Sequence, residues 1–407
     1  MDSQIVEKAS KIMEISEWRL CDHCLGRSFS KTVEGTGNKK RGEIVRELLE
    51  NNENVPKSDS CYICNNIFDN IENEIIDNII SKINKENIEF STFLVGSRLS
   101  SGILEKEDEI HQKMGLDVEN IKKEINREIG KSILNKTGKM VDFDNPNIVI
   151  MVDFIKNHID IRINPIFIEG RYRKLIRGIP QTKWPCKKCK GKGCPKCGYS
   201  GQMYTQSVEL LVSSSAVLEA IGTSSKFHGA GREDIDVRML GNGRPFVLEI
   251  KEPHIRNLDL DLVEEKINNF ADGKVEVRDL KFVGRERKSE IKSSSTDTYK
   301  VYKALVEVKR DIKECELDLL QSLNVIKQRT PIRVSHRRAD KIRIRKVKKI
   351  YTKWINSRNF ELIVECSGGL YIKELISGDN GRSKPSVSEL LETPAFCSLL
   401  DVLDVNI

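Results

Sequence analysis

Four Cys-x-x-Cys pairs constrain this chain more than any other feature: Cys21/Cys24, Cys61/Cys64, Cys186/Cys189 and Cys194/Cys197. A two-residue gap lets both thiolates of a pair face one ion, and two pairs complete a tetrahedral shell. The later two pairs sit in CKKCKGKGCPKC, where Gly191, Gly193 and Gly198 relieve the tight turns that such closure needs. The earlier two pairs are separated by 36 residues, so their spacing is a looser signal, and closing that site ties a long loop. His23, between Cys21 and Cys24, either competes as a ligand or faces solvent. Both sites are expected to hold structural zinc, one or two ions in all. They should staple the fold and not catalyse, because four thiolates leave no coordination position open for water. Cys315, Cys366 and Cys397 lie in apolar contexts and are expected in the core.

No N-terminal apolar segment resembles a signal peptide, and no run approaches membrane-spanning length. The chain is therefore expected to be cytoplasmic, with no membrane partner, and no obligate protein partner is evident. Its 407 residues leave room for two or three domains. The net charge is only +7, from 68 basic and 61 acidic residues, but the cations cluster. Arg171 to Lys196 holds ten Lys/Arg and no acid, and Lys327 to Lys349 holds eleven with Asp340 as the one acid. Such runs are either solvated faces or the footprint of a phosphate-backbone binder, and two of them favour nucleic acid.

The organisation reads as α+β. Ile67, Ile71, Ile75, Ile79 and Ile83 mark an amphipathic helix, and residues 2–20, 105–114 and 118–133 are also helical in pattern. Strands are expected at 93–95, 148–154 and 159–163. Residues 1–165 then form a zinc-binding domain, 166–205 a basic linking element carrying the second cysteine cluster, and 206–407 a second α+β domain. That domain begins with a helix near 207–221 and has strands at 274–282, 301–308, 342–347 and 360–366. In Lys341-Ile-Arg-Ile-Arg345 the alternation should turn the cations to one face and the isoleucines to the core.

The chemistry concentrates in FHGAGREDIDVRMLGNGRPFVLEIKEP, from Phe227 to Pro253. Residues 235–240 and 246–250 read as two strands of a hairpin turned at Gly241-Asn242-Gly243. Two chemistries compete for its carboxylates. Asp236 with Glu249-Ile250-Lys251 fits a metal-dependent nuclease of the D…ExK type. Alternatively Asp234 is a lone catalytic carboxylate at the loop mouth, kept ionised by Arg232 beside it. A third reading has the charges merely pairing, in a non-catalytic zinc-containing module that binds nucleic acid, a tRNA-binding module if the resemblance given below holds. The second cysteine cluster also looks like the zinc repeat of DnaJ chaperones, though only one and a half repeats are present.

The string GREDIDVRMLGNGRPFVLEIKEP closely resembles the tRNA pseudouridine synthases that modify T-loop uridines 54 and 55. The likeness extends to RGIPQTKW (177–184), KQRTPIRVSHRRAD (327–340), GGLYIKELISGDNGRSKPSVSELL (368–391) and TPAFCSLLDV (393–402). It implies an N-terminal THUMP-containing domain with a four-cysteine zinc site, followed by a catalytic domain with a mixed, largely antiparallel sheet. It implies an isomerase that needs no cofactor for its chemistry and acts on tRNA, gripping the T-loop and the acceptor region. By resemblance Asp234 is the catalytic residue, attacking ribose C1′ or assisting departure of the base. Tyr302 packs against the uracil and takes the C5 proton, with Tyr299 an alternative three residues away. Lys373 pairs with Asp234, Tyr371 and Ile372 line the pocket, Leu400 closes it, and Arg232 holds open the surroundings of the flipped nucleotide.

Overall fold

The computed structural model describes residues 2–51, 59–293 and 299–406. The chain divides into two compact units, Met1–Asn164 and Pro165–Ile407.

In the first unit a four-stranded sheet runs in the order Met140–Val141, Thr92–Arg98, Ile148–Asp153, His158–Ile163. The first three strands are parallel and the fourth antiparallel. Helices Asp2–Ile15, Asp22–Ser28, Asn38–Glu50, Ser101–Lys113 and Ile121–Thr137 complete it. The isoleucine stripe forms a helical run in three pieces, Ile67–Asn70, a π turn Ile71–Ile75, and Ile76–Lys85. All five isoleucines are buried. Strict four-residue spacing drifts about 40° per step on an α-helix. The wider π turn advances less per residue and offsets that drift, so the stripe stays on the core. Asn120 caps Ile121–Thr137 by accepting from the Lys123 amide, and Gly138 ends it in the left-handed region.

The second unit is built on a ten-stranded sheet. Its order is Ser383–Lys384, Val325–Arg329, Ile342–Asn356, Asn359–Ser367, Tyr299–Val308, Ala395–Val405, Val237–Lys251, Ile166–Lys174, Val275–Val283, with Ser224–Gly229 also paired to Val237–Lys251. Only the Ala395–Val405 to Val237–Lys251 pairing is parallel. Helices Val208–Glu219 and Leu260–Ala271 pack on one another and contribute buried residues to the same core. Residues 166–174, expected to open a linking element, are an interior strand of this sheet. Their alternation is masked because Ile166 through Gly170 are buried on both faces.

Two further expectations fail for physical reasons. Val237–Lys251 is one continuous strand, not a hairpin. Tyr172 pairs with Arg244 and Lys174 with Met239, so residues 240–243 bulge out of the ladder without reversing it. The bulge needs glycine at 241: its φ is +54°, and a Cβ there would lie 1.8 Å from the Leu403 carbonyl oxygen. Arg171 holds the bulge by donating to the carbonyls of Asn242 and Gly243. In Ile342–Asn356 the facing is the reverse of that expected. Ile342 and Ile344 are exposed, while Arg343 donates to Thr330 Oγ1 and the Arg345 guanidinium lies against Gly369.

Candidate active site and thiolate clusters

Asp234 lies in the loop between strands Ser224–Gly229 and Val237–Lys251. A buried polar network fixes that loop from beneath. Glu233 accepts from the Tyr172 hydroxyl and from Arg244 Nε, each at 2.9 Å. Arg244 also donates to the Ala230 carbonyl, and Gln181 donates to Tyr172 and to the Gly231 carbonyl. Lys174, fully buried, donates to the carbonyls of Ile179, Asp234 and Ile235. Burial opposes the Arg244 charge, but Glu233 beside it holds the guanidinium protonated. Removing one member of a buried ion pair typically costs about 3–5 kcal/mol, so this network is a rigid mount. Gly231 turns the loop at φ +85°, where a Cβ would lie 3.0 Å from the Arg244 guanidinium and 3.1 Å from Lys300 Nζ.

The Asp234 carboxylate itself is about one-third exposed at a pocket of ≈ 370 Å³. Every residue predicted for the site lines it: Arg232, Asp234, Tyr302, Tyr371, Ile372, Lys373 and Leu400. Tyr302 comes from Tyr299–Val308 and Leu400 from Ala395–Val405, two paired strands. Tyr299 is exposed, with Lys348 over its ring, and does not line the pocket. Tyr371 caps the short helix Ile372–Ser377, and its backbone is clamped on both sides by the Gln328 amide. Burial and the neighbouring Cys366 push the Tyr302 phenol well up, against the pull of Arg244.

Asp234 has the expected partner and a closer one besides. Arg333 Nη1 lies 2.9 Å from Asp234 Oδ2, and Lys373 Nζ pairs with the same oxygen at 3.8 Å. Lys373 also bonds Asp236 at 2.6 Å. Burial raises the Asp236 carboxyl, yet the Lys373 hydrogen bond and charge hold it below its ordinary range. Arg333 also binds Glu374 at 2.6 Å and stacks over the Tyr371 ring. Arg232 points its guanidinium over Trp184, itself part of the pocket wall. Arg333, Trp184 and the Glu233 network were missed in sequence because Arg333 stood in a run read as phosphate-gripping. The others lay in a segment read as a linker and among the charges flanking the expected hairpin strands. A further buried cation, Lys300, sits under the loop. Burial and the Arg244 charge push its ammonium down to about 8, and Cys366 and Glu233 oppose the shift.

The nuclease geometry does not assemble. Asp236 precedes the strand, and Glu249 near its far end binds His228 at 3.0 Å with Lys288 3.6 Å away. Among the described residues, the groups of side chains able to share a metal ion are the two cysteine clusters alone. In each, the four Sγ atoms lie within 4.8 Å of one another. Cys21 and Cys64 are 3.6 Å apart, Cys186 and Cys194 3.9 Å, and Cys189 and Cys197 3.9 Å. Tetrahedral Zn–S bonds of about 2.3 Å give S···S edges of about 3.8 Å, so both donor sets fit the ion. His23 joins neither: it is mostly buried, hydrogen-bonded to Glu124 at 2.9 Å and stacked on Phe68. Arg27, also buried, binds Glu107 and Glu124 and donates to Cys24 Sγ. Of the remaining cysteines Cys366 is buried, Cys397 partly so, and Cys315 is exposed, contrary to expectation.

The family profile described as "Pus10, C-terminal" matches residues 167–406, and "Pus10 THUMP domain, archaeal" matches residues 75–153. A "tRNA pseudouridine synthase Pus10" of Methanothermobacter marburgensis is 51% identical across 100% of this chain and 99% of that relative. The same-named protein of Pyrococcus furiosus is 43% identical across 98% of each chain. That of Methanocaldococcus jannaschii is 41% identical across 100% of this chain and 97% of its own length. A solved Cbf5-Nop10-Gar1 complex matches 57% of this chain and 60% of the other at 16% identity, and its TM-score of 0.30 carries no weight beside these.

Proposed function

This chain belongs to the Pus10 family of tRNA pseudouridine synthases, a THUMP domain followed by a pseudouridine synthase fold, and from that membership we propose that it isomerises uridines 54 and 55 of the tRNA T-loop. The observation that carries the reading is the mounting of Asp234: one carboxylate, presented to a nucleotide-sized pocket on a loop braced by buried ion pairs. Enzymes that act on a base take it out of its stack, and the pocket offers the flipped uridine the Tyr302 ring, Ile372 and Leu400 as walls. Asp234 acts at C1′. The N1–C1′ bond breaks, the uracil turns, C5 bonds to C1′, the C5 proton is lost and N1 gains one, so the product is an isomer. Arg333 and Lys373 hold the carboxylate in place. Burial keeps the Tyr302 phenol protonated, and its ring is a packing surface for the uracil.

The first unit carries the THUMP domain and is assigned to the tRNA acceptor region, and the second unit to the T-loop. Zinc in the two thiolate clusters supplies cross-links that fix loops and no chemistry at the uridine. A tRNA substrate and reduced thiolates favour a cytoplasmic enzyme, and among the described residues no helix is long and apolar enough to cross a membrane. Incubation with an unmodified tRNA transcript, with a brief exposure to EDTA, tests the reading. Pseudouridine should form at 54 and 55 in RNA of unchanged length. Shortened RNA, or binding without any pseudouridine, would contradict it.

A further inference from the structure

Five charges of alternating sign run past the reacting carboxylate: Asp236, Lys373, Asp234, Arg333 and Glu374. Asp236 Oδ2 binds Lys373 Nζ at 2.6 Å, and the same nitrogen lies 3.8 Å from Asp234 Oδ2. Arg333 Nη1 reaches that same Asp234 oxygen at 2.9 Å, and Arg333 Nε is bound by Glu374 Oε1 at 2.6 Å. Each cation on Asp234 is therefore held by a second carboxylate behind it. Both cations meet Oδ2. Among the described residues no ion pair engages Oδ1, which is the oxygen left for a substrate.

The outer carboxylates stand on fixed points. Glu374 is buried in the first turn of Ile372–Ser377, behind the clamped backbone of Tyr371. The Asp236 carbonyl accepts from Arg177 Nη1 at 2.8 Å, and Arg177 is held in turn by the Leu400 carbonyl and the Asp401 carboxylate. Arg238 binds both oxygens of Asp401. Fold stability does not account for the Asp236 side chain, which is 66% exposed, because ion pairs so exposed add little. Its place is in the pocket wall with Asp234, and the metal-binding partner expected for it, Glu249, binds His228 instead. A lysine ammonium on its flexible stem has no direction of its own, so a second contact has to aim it.

We propose that Asp236 and Glu374 are positioning residues of the isomerisation: as outer carboxylates they hold Lys373 and Arg333 on one oxygen of Asp234 and so leave the other aimed at the flipped nucleotide. The inference rests on the function proposed above. Its test uses the full-length protein with Asp236→Ala, Asp236→Asn and Glu374→Gln, an unmodified tRNA transcript, steady-state pseudouridine formation and tRNA binding. Asp236→Ala should lower kcat about tenfold or more, with KM and tRNA Kd within about twofold of wild type, since misplacing a reacting group costs rate and not affinity. Its melting temperature should be unchanged. Asp236→Asn keeps an oxygen for Lys373 and should recover at least about a third of the wild-type kcat. Glu374→Gln should show the same split between kcat and KM; if that buried variant fails to fold, the Asp236 variants carry the test. Adding Asp236→Ala to Lys373→Met should lower kcat by less than about twofold further, because the carboxylate acts through the lysine. Wild-type or faster kcat in Asp236→Ala would overturn the inference, and so would losses that multiply in the double variant. If Lys373→Met has no measurable rate, the comparison of Asp236→Ala with Asp236→Asn decides alone, and equal loss in both overturns the inference. A wild-type protein that makes no pseudouridine would instead contradict the proposed function itself.

Discussion

Arg333 joins three residues at the candidate active site. It reaches Asp234 and Glu374 with its guanidinium nitrogens and lies over Tyr371. A planar fork of donors suits this bridging, and an ammonium does not reproduce it. Arg333→Ala should lower kcat roughly 10²-fold while KM changes little, the scale expected when a reacting group shifts by about 1 Å. Arg333→Lys should recover part of the loss, which a purely structural residue would not show. Steady-state kinetics on a tRNA transcript check both. Beneath the loop, Lys300 faces Arg244, Glu233 and Cys366, and its ammonium is pushed down to about 8 in the fold against 10.5 ordinarily. Between those values the unfolded chain binds a proton that the folded chain has released. Stability therefore rises with pH across that window, by up to about 3 kcal/mol. Lys300→Met should remove this rise, as read from denaturant unfolding at pH 7, 8, 9 and 10. Neither residue was legible in advance. One stood among eleven clustered cations, the other in a strand whose pattern gives no sign of a buried charge.

At the scale of elements, the sequence carried the helices and cysteine closures well and the strand carrying the active-site loop poorly. Ile67 to Ile83 and the four Cys-x-x-Cys pairs declare themselves because their constraints are local. Gly241-Asn242-Gly243 has the composition of a hairpin turn, and only a strand some 70 residues earlier decides otherwise. Ile166–Lys174 pairs on both sides of the glycines, and Arg171 ties the extruded carbonyls. The result aligns Val237 to Met239 beside Leu400 to Val402, which is how Leu400 reaches the pocket. Gly241→Ala should cost at least ~2 kcal/mol, from the left-handed φ and from the contact with Leu403. A melting curve that matches wild type would count against the bulge as the device that sets this register. Ile342 and Ile344 show a related limit. Alternation fixes which residues share a face, but not which face is the core.

For the whole molecule, the candidate site residues named from the motifs line one pocket although they come from chain segments nearly 170 residues apart, Arg232 to Leu400. What sequence left open was their wiring: Arg333 makes the closer contact with Asp234, and Lys373 is shared between Asp234 and Asp236. The basic runs likewise include cations that build the fold, Arg171 and Lys174 among them, a role that only tertiary contacts reveal. The central claim is that a single carboxylate performs the isomerisation while the rest of the protein binds and positions. It is tested most directly by Asp234→Ala in the full-length chain, with pseudouridine mapped at each tRNA position and tRNA affinity measured in parallel. The account predicts no pseudouridine at 54 or 55 and a tRNA Kd within about threefold of wild type. Pseudouridine formed by Asp234→Ala at a rate near wild type would contradict it.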